Sequence, residues 1–195
     1  MPLPWSLAAG AAAFYLALVG AGRKHPVKVL PALCLAISAW PVSPLASAGL
    51  VFCALGDGLL LDKERRFLHG LAAFLAGHLF LVGALVRSPP SLAVPALAGL
   101  AAVLLLVIGL VLRVLWSRLH GVLRAAVPVY ALVLAAMVMA AATHSAMALT
   151  GAVIFVVSDA VLALNHFARR LPAAEMVVMT TYYTAILAIT AALLA

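Results

Sequence analysis

At 195 residues the chain has one domain's worth of length, yet 68% of it is hydrophobic and only 9% is charged. A soluble domain is about half apolar and a quarter charged, so the shortage of polar surface excludes a disordered chain, a nucleic-acid module and a secreted disulfide scaffold. The net charge of +7, from 12 Lys and Arg against 5 Asp and Glu, then reads as the loop basicity that orients membrane helices. The composition predicts an all-α, polytopic helical membrane protein forming a single transmembrane domain over residues 1–195.

There are eight apolar runs bounded by charges or by Pro and Gly, and most approach the ~20 residues that cross ~30 Å of hydrocarbon. The first, residues 3–21, has no basic residue ahead of it and Arg23-Lys24 behind it, the flanks of an uncleaved first helix rather than of a signal peptide. The second, 27–40, is short and is shaped by Pro26, Pro31 and Pro41. The third and fourth are 45–61 and 70–86, and the fifth is 92–112. The sixth, 124–143, contains Pro128, and the seventh and eighth are 146–164 and 174–194. Cys34 and Cys53 fall inside apolar runs and read as small core residues, with no disulfide and no redox role.

Charge sets the expected orientation. Arg23, Lys24, Lys63, Arg65, Arg66, Arg113, Arg118, Arg169 and Arg170 follow runs 1, 3, 5 and 7, and Lys28 and Arg124 begin the runs after them. Eleven of the 12 basic residues therefore share one side, with Arg87 alone on the other. This places the odd-numbered loops in the cytoplasm and both termini outside, in a multi-pass protein of the cell membrane (the inner one in a bacterium). A short internal echo adds to this: Phe52-Cys53-Ala54-Leu55-Gly56-Asp57 and Ile154-Phe155-Val156-Val157-Ser158-Asp159 end their runs alike. It reads as a weak parallel repeat of 45–86 and 146–194.

Ionisable groups within a span are costly, so each is a functional hypothesis. Asp57 and Asp159 lie four and five residues before the ends of runs 3 and 7. Lys28 opens run 2. His78 comes about eight residues into run 4, and Tyr182-Tyr183 about as far into run 8. Tyr130 follows Pro128, while Asn165 and His166 close run 7 and Glu175 opens run 8. All fall in the expected cytoplasmic half. Glu175, Met179, Tyr182 and Ile186 share one helical face, as do Phe155, Asp159, Leu162 and His166. Two carboxyls, a lysine, a histidine and tyrosines can thus line one pocket. Equally, Asp57 can pair with Lys28, and Asp159 can accept from Tyr182 or Tyr183, as polar glue between helices. His25, His69, His120 and His144 read as solvated boundary residues. No metal-ligand spacing, phosphate-binding loop, dinucleotide fingerprint or nucleophile elbow occurs, so no metal and no cofactor are expected.

The runs Leu55-Gly56-Asp57-Gly58-Leu59-Leu60, Phe67…Gly70…Phe74…His78, Gly151 to Asp159 and Tyr182-Tyr183 resemble those of the YhhN-like lysoplasmalogenase family, in order and over nearly the whole chain. Lys28-x-x-Pro31 is similar to that family's Lys-Pro motif, and Ile186 departs from it where a glutamine is expected. The resemblance implies hydrolysis of the vinyl-ether bond of a lysoplasmalogen to a fatty aldehyde and a glycerophospho-base. A vinyl ether cleaves once its outer alkene carbon is protonated, which needs a general acid and an anion beside the developing oxocarbenium ion. The resemblance thus implies Asp57 and Asp159 as the catalytic pair, with whichever lies near Lys28 or His78 kept ionised. Lys28, His78, Tyr130, Asn165, Tyr182 and Tyr183 would position water, the vinyl ether or the phosphate. The partners implied are a lysophospholipid substrate and membrane lipid, with no nucleic acid and no protein partner. A proton-coupled transporter of a lipid-like solute is the rival class, but transport needs polar groups on both sides of the midplane; a lipid-binding protein without activity is the other.

Overall fold

The computed structural model describes residues 3–23, 25–86, 94–168 and 170–195; Lys24, Arg87 and Arg169, which enter the charge count above, lie outside the described residues. The described residues form eight α-helices: α1 (Leu3–Gly20), α2 (Leu30–Ala39), α3 (Pro44–Leu59), α4 (Lys63–Leu85), α5 (Val94–Leu115), α6 (Leu123–His144), α7 (Ala146–Ala163) and α8 (Ala174–Leu194). Among the described residues there is no strand. Seven of the helices are long and apolar enough to cross a membrane. The exception is α2, whose ten residues rise only ~15 Å. It is entered through a 3-10 turn, Pro26–Val29, and packs between α1 and α3 with α8 nearby.

Helix limits follow local chemistry. Ser43 and Ser145 cap α3 and α7 by accepting from the N–H groups of Ala46 and Ala148, which satisfies donors that a helix start leaves open. The fourth helix departs from expectation: it begins at Lys63, not Gly70. The charged segment Lys63-Glu64-Arg65-Arg66 is made of good helix formers and extends the apolar run by two turns. His78 is consequently the sixteenth of 23 residues in α4, past the helix centre rather than near its beginning. On α6 the buried residues Tyr130, Leu134, Met137, Val138 and Ala141 form one 3.6-periodic face.

The pair α3–α4 meets along glycines spaced seven apart. A Cβ built on Gly49 would come 2.9 Å from the Gly77 carbonyl oxygen, and one on Gly77 would come 2.9 Å from that of Gly49. One on Gly56 would strike the Phe74 ring at 2.5 Å, and one on Gly70 the Leu60 side chain at 2.7 Å. Small residues are how membrane helices bring backbones close. The obstruction between Gly49 and Gly77 is backbone, which cannot swing away. Gly77→Ala is therefore expected to destabilise the protein by ~1–3 kcal/mol, while Gly99→Ala on α5, with nothing within 4 Å, is close to neutral. Thermal unfolding in detergent checks this, and equal midpoints for the two variants would remove the seam as a determinant of packing.

One end of the bundle collects the ends of many helices. The turn before α2 meets the end of α3 and the start of α8 through Lys28, Asp57 and Glu175. Phe67 at the start of α4 stacks on His166 at the end of α7, ring centroids 3.8 Å apart. There α7 continues into a π turn, Leu164–Ala168, and Arg118 donates to the carbonyls of Phe167 and Ala168. At the other end the His144 ring, expected to be solvated, is half-buried and ties α6 to the Ala192 carbonyl at 3.1 Å.

Candidate active site

The 3-10 turn before α2 carries Lys28. Its start is pinned by His25, whose Nδ1 accepts from the Val27 N–H at 3.2 Å, and its carbonyl accepts from the Tyr183 hydroxyl at 3.0 Å. Lys28 is 3% exposed, and its Nζ lies 3.5 Å from Asp57 Oδ1 and 4.0 Å from Glu175 Oε1. A buried ammonium without a counter-charge would cost several kcal/mol, so the two carboxylates are what permit it there. Asp57 is 2% exposed on the last turn of α3, at a depth fixed by the glycine seam. Its second oxygen, Oδ2, is buried and has no hydrogen-bond partner among the described residues.

Asp159 lies four residues before the end of α7 and is partly exposed. Its Oδ2 accepts from the Tyr130 hydroxyl at 2.6 Å, which corrects the expectation that Tyr182 or Tyr183 would do so. Consecutive residues on a helix point about 100° apart, so the two tyrosines serve different neighbours. Tyr183 turns to Lys28 and to the ring of Tyr15. Tyr182 stands edge-on to Phe74 and Phe155, with centroids 5.8 and 5.5 Å away. Its hydroxyl is buried and lies close to the Asp57 carboxyl, with no hydrogen bond of normal geometry among the described residues.

His78 is fully buried, with Nδ1 2.6 Å from the Phe74 carbonyl oxygen. A carbonyl only accepts, so Nδ1 carries the proton and Nε2 presents a lone pair or a second proton. Nε2 has no partner among the described residues, and the ring packs against Phe155 and Tyr130. Gly56 faces Phe74 and Gly77 faces Cys53, so His78 sits about one turn deeper in the bundle than Asp57. Asn165 is not brought into this group: its Oδ1 accepts from the Leu171 N–H at 2.9 Å and closes the turn between α7 and α8. Conversely, Glu175 belongs to the cluster. The Glu175, Met179, Tyr182 face was its signal in the sequence, although its place at a helix start reads equally as a favourable charge at the helix dipole.

Two cavities meet here. The larger, about 120 Å³, runs between α4, α5, α6 and α7 and is walled by apolar side chains such as Phe67, Ile108, Leu112 and Leu134. Tyr130 and Asp159 supply its polar groups. The smaller, about 20 Å³, is bordered by Lys28, Asp57, Ser158, Asp159, Glu175 and Tyr182. Asp159 borders both. An apolar groove therefore ends on a carboxyl group whose other side faces a polar recess holding a second carboxyl and a cation.

A model of the YhhN family matches residues 24–193. The chain is 38% identical over 170 residues to "Lysoplasmalogenase TMEM86B" of Homo sapiens, covering 84% of this chain and 72% of that protein. It is 39% identical over 165 residues to the Sus scrofa protein of the same name, covering 82% and 70%. "Lysoplasmalogenase TMEM86A" of Bos taurus is 31% identical over 183 residues, covering 82% and 73%. No solved structure matches.

Proposed function

Since this chain belongs to the YhhN family and is similar over most of its length to proteins named lysoplasmalogenase, we propose that it is a multi-pass membrane hydrolase that cleaves the vinyl-ether bond of lysoplasmalogens. The observation that carries the mechanism is the position of Asp159 on the border of both cavities. A lysoplasmalogen has one long alkenyl chain and a polar glycerophospho head, with the reactive double bond at their junction. With the chain in the apolar groove, that junction falls at Asp159.

Roles follow from neighbours. Asp57 has an ammonium at 3.5 Å and is the ionised member, the anion beside the developing positive charge. Asp159 has a neutral hydroxyl for a partner and is the general acid. Tyr130 occupies one of its oxygens and leaves the other to deliver the proton to the outer alkene carbon. Lys28 is held by Asp57 and Glu175, so its task is to keep Asp57 charged rather than to bind the lipid phosphate. Tyr183 holds the Lys28 turn, and His78 supports the Tyr130 and Phe155 rings from below.

The deciding experiment incubates purified protein with a 1-alkenyl lysophospholipid and, separately, with its saturated 1-alkyl analogue. Fatty aldehyde is expected from the first alone, because only an alkene can accept the proton. Cleavage of both, or of neither, would overturn the reading.

A further inference from the structure

The polar recess has a size and a chemistry of its own. Its volume is about 20 Å³, and a buried water needs roughly 10–15 Å³ together with two to four polar partners. Of the groups on its wall, the Lys28 ammonium is committed to carboxylates, and the Ser158 hydroxyl donates to the Val178 carbonyl at 3.0 Å. Two wall residues retain unused capacity: Asp57 Oδ2, an acceptor, and the Tyr182 hydroxyl, both buried and unpartnered. The two side chains approach closely enough to act on each other, yet neither atom has a hydrogen bond of normal geometry among the described residues, so a water in the recess can bond to both at nearly the strength of direct contacts. A buried polar group left unsatisfied keeps its full desolvation penalty, which a bound water relieves.

We propose that this recess is the seat of the hydrolytic water, held by Asp57 Oδ2 and the Tyr182 hydroxyl with Asp159 across from it, and that Tyr182 is a catalytic residue which aims the water. This assignment rests on the hydrolase reading for its chemistry. Proton transfer from Asp159 to the outer alkene carbon leaves an oxocarbenium ion and a carboxylate. The water oxygen then bonds to the cationic carbon, and one water proton passes to Asp57 Oδ2. As the resulting hemiacetal collapses, the bond to the glycerol oxygen breaks and that oxygen takes the proton from Asp57. The hemiacetal hydroxyl proton returns to Asp159, the aldehyde forms, and both carboxyls regain their starting states.

Two measurements test it. X-ray radiolytic footprinting marks side chains next to ordered water and needs no substrate. Met179, 1% exposed, borders the recess, while Met137, 0% exposed, borders neither cavity. Met179 and Tyr182 are expected to label several-fold faster than Met137; labelling of Met179 as slow as that of Met137 overturns the water site. In Tyr182→Phe the ring contacts to Phe74 and Phe155 persist. Its kcat is expected to fall about a hundredfold, as on removing one positioned hydrogen-bonding group, with KM little changed and Met179 labelling reduced toward that of Met137. Full kcat in this variant overturns the catalytic role. A wild-type protein that releases no aldehyde would sink the hydrolase reading, and with it the assigned chemistry, while the footprint alone would still decide the site.

Discussion

Asp159→Asn and Asp57→Asn should each lose vinyl-ether turnover by ~10²–10⁴-fold, the range for a positioned proton-transfer group, yet differ in stability. Asn is nearly isosteric with Asp but carries neither charge nor a transferable carboxyl proton. In Asp159→Asn the amide oxygen can still accept from the Tyr130 hydroxyl, which now reaches Asp159 at 2.6 Å. An interhelical hydrogen bond in a membrane averages ~0.6 kcal/mol, so the melting temperature should barely move. In Asp57→Asn the ammonium of Lys28 loses its nearer counter-charge, at 3.5 Å, and keeps only Glu175 at 4.0 Å. Breaking a buried ion pair typically costs ~3–5 kcal/mol. The result to look for is two inactive proteins, one melting normally and one early. Active variants that merely melt early would make both carboxyls structural. The wild-type kcat should trace a bell against pH, because the acid must be protonated and the anion ionised; a flat profile with chemistry rate-limiting would exclude the two-carboxyl mechanism.

Lys28→Met carries the second large effect. It leaves Asp57 buried without a cation, an expected loss of ~3–5 kcal/mol in unfolding free energy. Arg23→Met, at an exposed site, should lose ~0–1 kcal/mol. The double variant Lys28→Met/Asp57→Asn removes both charges and should recover part of the loss, so the two single effects add to more than the double effect. Chemical unfolding in detergent measures all four proteins. If Lys28→Met is as stable as Arg23→Met, the ammonium contributes orientation and little else.

The helices were legible because hydrocarbon leaves few alternatives to them, and the run 174–194 coincides with α8 to the residue. Where the structure departs from the hydrophobic pattern, a different term decides. At Lys63 helix propensity carried α4 beyond its apolar portion and moved His78 inward. From Leu164 the chain widens into a π turn held by Arg118, which no periodicity announces. Within the site, the Lys28–Asp57 pair was foreseeable because each is the other's cheapest compensation. The partner of Asp159 was not. Helical spacing states which residues share a face, but which helix that face meets depends on how whole helices pack. The glycines that place α3 against α4 act through what they lack.

The seam at Gly49 and Gly77 has a consequence for how this site could change over time. Because backbone approaches backbone there, the height of Asp57 in the membrane is set by atoms that replacements elsewhere on the two helices leave in place. One wall of the apolar groove comes from α5, which packs mainly on α6 and keeps most of its length exposed. One part of the molecule is thus held by close backbone contact, while another tolerates exchange of one aliphatic group for another. With the lipid tail in the groove as proposed, descendants of such a chain would retune which tails they accept by altering α5, at little risk to the placement of Asp57.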